Sequence, residues 1–323
     1  MDNKSDRNAP GQAPLTVRFV TIDARQSGQR LDNYLLKTLK TLPKSRLYRI
    51  IRKGEVRVNK KRVKPDYRLQ SGDLLRIPPI RQDQPDAVIH PPRQLVQELE
   101  ARILHEDDDL LVLDKPSGLA VHSGSGLRFG AIDVLRLLRP HSEIELVHRL
   151  DRDTSGCLLF AFHRQALLDL QRQLQSDIMI KTYEAVVHGR WNPQRRSIDR
   201  PLKRQSMPNG ERRVCVDAAG QAAETRIEAC EPFDRDGIEF SCLQLRLMTG
   251  RTHQIRVHCQ SEGHPLIGDD KYGDRQRDKA LRGLGIRRLM LHARALEFDN
   301  ARGHRLRVLA PRPPEFETLC AAD

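Results

Sequence analysis

The sequence predicts an α+β protein in two units, a small one first and a larger one after it. Three observations carry this. Helix-spaced and strand-like apolar stretches both occur on either side of a Pro-containing break. The 323 residues suffice for two domains, or for one with an appendage. Lys and Arg number 56 against 43 acids, a formal charge of +13. Such an excess points to a polyanionic partner, nucleic acid first and an anionic membrane second.

Residues 1–14 are polar and punctuated by Pro and Gly, and are expected to form a disordered arm. The small unit is expected over residues 15–80. Val17 to Ile22 alternates weakly, as an edge strand does. Leu31, Tyr34, Leu35 and Leu39 fall at helical spacing, and Pro43 ends that helix. Leu47, Ile50 and Ile51 make the apolar side of a second helix that stops at Gly54. Val56 to Asn59 reads as a strand, Lys60-Lys61-Arg62 as a basic turn, and Val63 as the start of another strand. Gly72-Asp73 turns the chain into a closing strand, Leu74 to Ile77. Lys44, Arg46, Arg49, Arg52, Lys53, Arg57, Lys60, Lys61 and Arg62 crowd into this unit. Cations on one face can follow a phosphate backbone and release its counterions, which fixes register without reading sequence. Residues 81–100, with Pro85, Pro91 and Pro92, read as a linker.

The second unit is expected over residues 101–320. Leu110 to Leu113 is a buried strand by length and composition. The loop holding Gly124, Gly126 and Gly130 lacks the P-loop order, which argues against a nucleotide triphosphate site. Ile132, Leu135 and Leu138 fit a helix, as do residues 167–174. Residues 181–187, 225–227, 240–248, 289–293 and 305–309 read as strands, and residues 249–258 as a turn into a helix. Residues 263–273 read as a loop. The basic, apolar-poor stretch from Asn192 to Cys215 is either an RNA contact or a solvated hairpin.

Between Ile144–Val147 and Cys157–Phe162 lies His148-Arg149-Leu150-Asp151-Arg152-Asp153-Thr154-Ser155-Gly156. Thr154-Ser155-Gly156 is turn chemistry. Asp151 sits between two arginines, and nearby positive charge favours the ionised carboxyl. A carboxylate at a strand edge can act as a nucleophile. The alternative is an Asp that caps the turn and pairs with a neighbouring Arg.

Other classes are disfavoured. No apolar run approaches the roughly 18 residues of a membrane-spanning helix, and no signal-peptide core opens the chain. A cytoplasmic protein is expected. The six cysteines include no C-x-x-C pair and read as free thiols. His253 and His258 lack a third ligand, so no metal site is expected. Aromatics at 4% leave little for base stacking.

Two short helices, a basic face, G-E-V-R-V-N-x-K-x-V-K-P and a late G-D strand resemble the S4 RNA-binding module. Further on, residues 113–118 (L-D-K-P-S-G), H-R-L-D with T-S-G at 148–156, K-T-Y at 181–183, G-R-T-H-Q-I-R-V-H at 250–258 and L-H-A at 291–293 resemble the RluA-type pseudouridine synthases. The pattern is nearest to the bacterial members that act on large-subunit ribosomal RNA. The resemblance implies an S4-like α+β domain followed by a larger domain on a mixed, mostly antiparallel sheet. It implies isomerisation of uridine to pseudouridine in 23S rRNA or the pre-ribosomal large subunit, with no cofactor. Asp151 matches the family's catalytic aspartate, acting at C1′ or taking a proton from C2′. Arg256 would pair with it. Tyr183 would pack on the uracil and is the candidate for removing the C5 proton. Leu291 would pack on the base, and Arg149 would enter the space left by the flipped uridine. Lys115 and Arg251 are further candidates for substrate contact. A monomer is expected.

Overall fold

The computed structural model describes residues 16–39, 42, 44–80, 91–123, 129–207, 211–281, 283 and 285–320. The expected N-terminal arm, residues 81–90 of the expected linker, and residues 124–128 of the glycine loop lie outside that set. The chain divides into two compact units, Met1–His90 and Pro91–Asp323.

The first unit runs β1 (Arg18–Thr21), α1 (Leu31–Thr38), α2 (Lys44–Arg52), β2 (Arg57–Val58) and β3 (Leu74–Ile77). Its antiparallel sheet has the order β1-β3-β2, so β1 is at an edge. Leu31, Leu35, Leu47, Ile51, Val56 and Leu75 fill the core. Buried Asp32 on α1 accepts from Arg30 and from the Tyr48 hydroxyl on α2, which ties the helices together. No strand starts at Val63. Instead Val58 and Lys61 exchange backbone bonds at 3.1 and 2.9 Å around Asn59 (φ 50°) and Lys60 (φ 66°). That is the two-residue turn whose central positions both need positive φ. Pro65 lacks a donor and restricts Lys64 before it, which disfavours a regular strand from Val63.

The second unit opens with α3 (Arg93–Ala101). This corrects the expectation of a linker through residue 100. Pro92, read as linker punctuation, stands at the helix N-cap, where a missing backbone donor costs little. Leu99 is buried in the main core, with Leu95 and Val96 packed against it. Then follow β4 (Ile103–Glu106), β5 (Leu110–Lys115), α4 (Ala131–Leu138), β6 (Glu145–Leu146), β7 (Ser155–Ala161), α5 (Arg164–Gln175), β8 (Ile180–His188) and β9 (Ser197–Asp199). The remaining elements are β10 (Leu202–Ser206), β11 (Arg212–Val216), β12 (Glu224–Arg235), β13 (Ile238–Leu247), α6 (Gln254–Ser261), α7 (Arg275–Leu281), β14 (Leu291–Asp299), β15 (Arg305–Leu309) and α8 (Pro314–Cys320).

The large sheet has the order β4-β5-β7-β14-β8-β13-β12-β9, with β15 on β14 and β6 on β7. Its pairs are antiparallel except β7 with β14, so the sheet is mixed and mostly antiparallel. Both faces are covered, and the period of two shows in which core each residue joins. Leu158 and Phe160 of β7 enter the core beneath α3 and α4, while Cys157, Leu159 and Ala161 enter the one that holds Ala166 and Leu170 of α5. Tyr183, Ala185 and Leu291 share the first of these faces with Ile255 of α6. β10 and β11 form a separate hairpin, so the later part of the basic stretch before Cys215 folds as one, while Ser197–Asp199 joins the large sheet as β9.

The parallel β7–β14 pair depends on Gly156. Its φ is +102°, and a Cβ there would lie 2.3 Å from the Ala293 carbonyl oxygen. Only glycine permits both the conformation and the approach. That contact sets the start of β14, with Leu291, beside the turn that carries Asp151.

Candidate active site

Asp151 lies in the turn between β6 and β7, closed by Thr154 N–H donating to the Asp151 carbonyl at 3.3 Å. Its carboxylate does not cap that turn. The arginines beside it in sequence turn elsewhere: Arg152 donates to the Gly118 carbonyl and pairs with Asp153. Arg149 is exposed and, among the described residues, has no hydrogen-bond or ion-pair partner. The cation at Asp151 comes from α6, with Arg256 Nη1 3.5 Å from Oδ2. His253 Nε2 lies 3.9 Å from the same oxygen.

Arg256 is itself held from behind. Its Nε and Nη2 donate to the two carboxylate oxygens of Asp269 at 2.7 Å each. The side chains are 5% and 1% exposed, so this is a desolvated, two-pronged pair. Burial works against the guanidinium charge, but the Asp269 bonds and the Asp269 and Asp151 charges more than offset it and raise the Arg256 pKa. Burial likewise opposes the Asp269 carboxylate. Arg256 and the backbone N–H groups of Tyr272 and Lys271 outweigh it and lower the pKa. Asp269 thus leaves Arg256 one prong for Asp151.

The turn before α6 is stapled by Gln254. Its side chain accepts from Arg251 N–H and Thr249 Oγ1 and donates to the Glu224 carbonyl and Thr225 Oγ1. His253 occupies left-handed backbone, φ 54°, which a side-chain residue adopts at a cost of roughly 1–3 kcal/mol. Both histidines weighed as a metal pair are taken by protein partners. His253 Nδ1 meets the Tyr272 hydroxyl, and His258 meets Thr225 Oγ1 and the Arg200 carbonyl.

Asp151, Arg149, Tyr183, Arg251, Arg256 and Leu291 all line one cavity of about 490 Å³. Tyr183 on β8 and Leu291 on β14 are buried and supply apolar wall. Arg251 is exposed at its edge and donates to the Ala222 carbonyl. Burial, and then the Asp151 charge, push the Tyr183 phenol above its ordinary pKa. Tyr183 therefore sits as a neutral phenol, while Arg256 pairs with Asp269, Asp151 and Asp270. A larger cavity, about 890 Å³, lies on the other side of the turn against Arg152, Asp153 and Ser155, and has neither Asp151 nor Tyr183 in its wall.

Lys115, which could contact RNA or cap its own loop, is turned inward onto that loop. It is fully buried and donates to the carbonyls of Pro116, Leu119 and Arg152, each at 2.8 Å. Its role is to fasten the loop after β5 to the Asp151 turn. His148 and His292 are hydrogen-bonding partners in the scaffold, His148 to Leu159 N–H and His292 to Ser155 Oγ. In the first unit Arg49, Arg52, Lys53, Arg57, Lys60, Lys61 and Arg62 are exposed, and Arg46 is half-buried. The Lys44 side chain lies outside the described set.

Sequence reading missed Asp269 and Tyr272, and weighed His253 only within a metal pair that it rejected. The available signal was G-D-D-K-Y-G after apolar Leu266-Ile267, an acidic doublet inside a glycine-bounded loop. The site as a whole presents a carboxylate, steadied by one arginine, to a cavity lined mostly by polar residues, in which Tyr183 and Leu291 supply apolar surface.

A family model described as RNA pseudouridylate synthase matches residues 109–261, and one described as S4 domain matches residues 29–75. The first span contains Asp151, Tyr183 and Arg256 and stops short of Asp269, Tyr272 and Leu291. Ribosomal large subunit pseudouridine synthase C of Pasteurella multocida (strain Pm70) is 47% identical over 100% of this chain and 98% of its own. The protein of that name from Escherichia coli (strain K12) is 50% identical over 92% and 93%. Among solved structures, human RNA pseudouridylate synthase domain containing 1 aligns with a TM-score of 0.57 and 27% identity, over 70% of this chain and 87% of its own.

Proposed function

Since the chain belongs to the RNA pseudouridylate synthase family and carries an S4 domain, we propose that it isomerises uridines of the large ribosomal subunit's RNA, the 23S rRNA, with Asp151 as the reacting carboxylate. In this reading it works as a cytoplasmic monomer, and its exposed S4 cations grip the phosphate backbone. Among the described residues no helix is long and apolar enough to cross a membrane.

The target uridine must leave its stack, at a cost of a few kcal/mol. Arg149, whose exposed side chain has no partner among the described residues, can occupy the gap. The uracil enters between Tyr183 and Leu291, which brings the sugar to Asp151. The C1′–N1 bond breaks as Asp151 attacks C1′ or removes the C2′ proton. The base departs with negative charge in a pocket that excludes much of the water, where fixed dipoles and cations count for more. It turns over, and C5 bonds to C1′ as the Asp151–C1′ ester breaks or, on the other route, as Asp151 returns the proton to C2′; the C5 proton passes to a base in the cleft, and N1 gains one. No electron is gained or lost.

The observation that carries this reading is the Asp151 carboxylate, one-fifth exposed and 3.5 Å from Arg256, in the wall of the cavity that Tyr183 and Leu291 also line. Asp151→Asn keeps the shape and removes the charge. Pseudouridine formation on 23S rRNA should drop to background, with the melting temperature within a degree or two of the parent. Unchanged product would sink the assignment.

A further inference from the structure

Asp151 is approached by His253 as well as by Arg256, and both are set by one short turn, residues 269–272. Asp269 grips Arg256. Tyr272 lies beneath it, with the guanidinium carbon 5.1 Å from the ring centre. The Tyr272 ring meets His253 edge-on at 5.4 Å. Its hydroxyl touches His253 Nδ1 at 2.8 Å and accepts the Val214 N–H of β11 at 3.0 Å. The turn is tight: a Cβ on Gly273 would sit 2.3 Å from the Asp269 carbonyl oxygen.

We propose that Tyr272 is a positioning residue which, through His253, aims the Asp151 carboxylate, and which makes that aim depend on hairpin β10–β11 being docked. This rests on Asp151 being the reacting group. The proton count supports it. The Tyr272 hydroxyl has one proton. With one lone pair taken by Val214 N–H, the hydroxyl can direct that proton to His253 Nδ1 as a hydrogen-bond donor. A neutral His253 then carries its own proton on Nε2, the nitrogen that faces Asp151. Burial lowers the His253 pKa and so favours this neutral ring. A movement of roughly 1 Å would bring Nε2–H from 3.9 Å into hydrogen-bond range of Oδ2. Left-handed backbone at residue 253 holds the ring in place for it.

The hairpin is tied to the site at two further points. Lys271 donates to the Arg212 carbonyl and pairs with Glu211, and Arg204 donates to Thr252 Oγ1. Three neighbours of the site, Thr252, Lys271 and Tyr272, thus hold the hairpin. Tyr272 is the one whose hydroxyl bonds to both the hairpin and His253. A hairpin that swings out takes Val214 from Tyr272 and frees the hydroxyl to turn away from His253.

Tyr272→Phe in the full chain keeps the ring and removes the hydroxyl. The single-turnover rate on an rRNA fragment should fall about 10–100-fold, while RNA affinity by anisotropy stays within about twofold. Nitrogen-resolved NMR of the His253 ring, which also faces Asp151, Arg256, Asp269 and Lys271, should show loss of the single Nε2–H tautomer. A wild-type rate, or a loss of affinity equal to the loss of rate, overturns the proposal. Should Tyr272→Phe fail to fold, His253→Gln and His253→Ala decide. Gln retains a donor and should keep most of the rate that Ala loses, and equal rates reject the role. If Asp151→Asn stays active the catalytic reading fails first; if only Tyr272→Phe stays active, this inference alone fails.

Discussion

Lys115 shows how a residue that looks functional in sequence can be structural in space. All three protons of its ammonium go to carbonyls, and one of these belongs to Arg152, beside Asp151. Ser117 Oγ donates to the Asp153 carbonyl at 2.7 Å and Gly118 N–H to the Arg152 carbonyl at 3.0 Å, so the two loops are stitched together. Burial pushes the Lys115 ammonium down to about 7, with the Asp153 and Asp151 charges opposing. Lys115→Met fills the space and leaves the Pro116 and Leu119 carbonyls without their donor, each costing about 1–3 kcal/mol, while the Arg152 carbonyl keeps Gly118 N–H. We expect at least about 2 kcal/mol less stability in urea unfolding, and a fall in pseudouridine formation because the Asp151 turn loses one of its fastenings. A variant as stable as the parent would return Lys115 to the list of substrate contacts. Asp151 illustrates the converse. Neither arginine flanking it in the chain pairs with it. The charge that matters is 105 positions away, on α6.

At the level of elements, two turns and one strand seam do most of the positioning. The turn at Asn59-Lys60 projects basic side chains from the small sheet. Asn59 is suited to left-handed backbone and is pinned by Asp73 at 2.7 Å and by Leu74 N–H at 2.9 Å. Lys60, at φ 66°, is not suited to it. Lys60→Gly should therefore stabilise the chain by roughly 1 kcal/mol. If Lys60 meets a phosphate, the slope of log affinity against log salt should shrink by about 0.9 for duplex RNA-like charge density, or about 0.7 for a single strand. A stability gain with an unchanged salt slope would remove Lys60 from the RNA-binding face. α3 escaped sequence reading because prolines and mixed charge precede it, and its few apolar residues are meaningful only once α4 and the sheet lie beneath them.

Across the whole second unit, the β7–β14 seam joins residues 155–156 to 292–293 and so closes the site. Ser155 Oγ accepts from Arg288 and donates to His292 Nδ1 at 2.8 Å, a fully buried contact with a neutral ring. Burial, reinforced by Arg288 and Arg294, pushes His292 down to about 3 from an ordinary 6.5. Its folded pKa is depressed. Between pH 6.5 and 3 the unfolded chain binds a proton that the folded one refuses, so this contribution is complete above about 6.5 and is lost as pH falls. Stability to urea should decline from pH 7 to 4.5, and less steeply in His292→Asn; parallel slopes would show that His292 is not responsible. The sequence alone determined what is written within a few consecutive residues: the S4 cations, the Thr154-Ser155-Gly156 turn, the Gly250–His258 turn into α6, and the apolar strands such as β5, β8, β13 and β15. Such features follow from local backbone preference and side-chain periodicity. The tertiary structure decided which groups meet: Arg256 with both Asp269 and Asp151, Tyr272 with His253, and Lys115 turned inward. Those pairings require a sheet order that brings distant segments together, and desolvation then makes each of them strong or costly, which no short window of sequence contains.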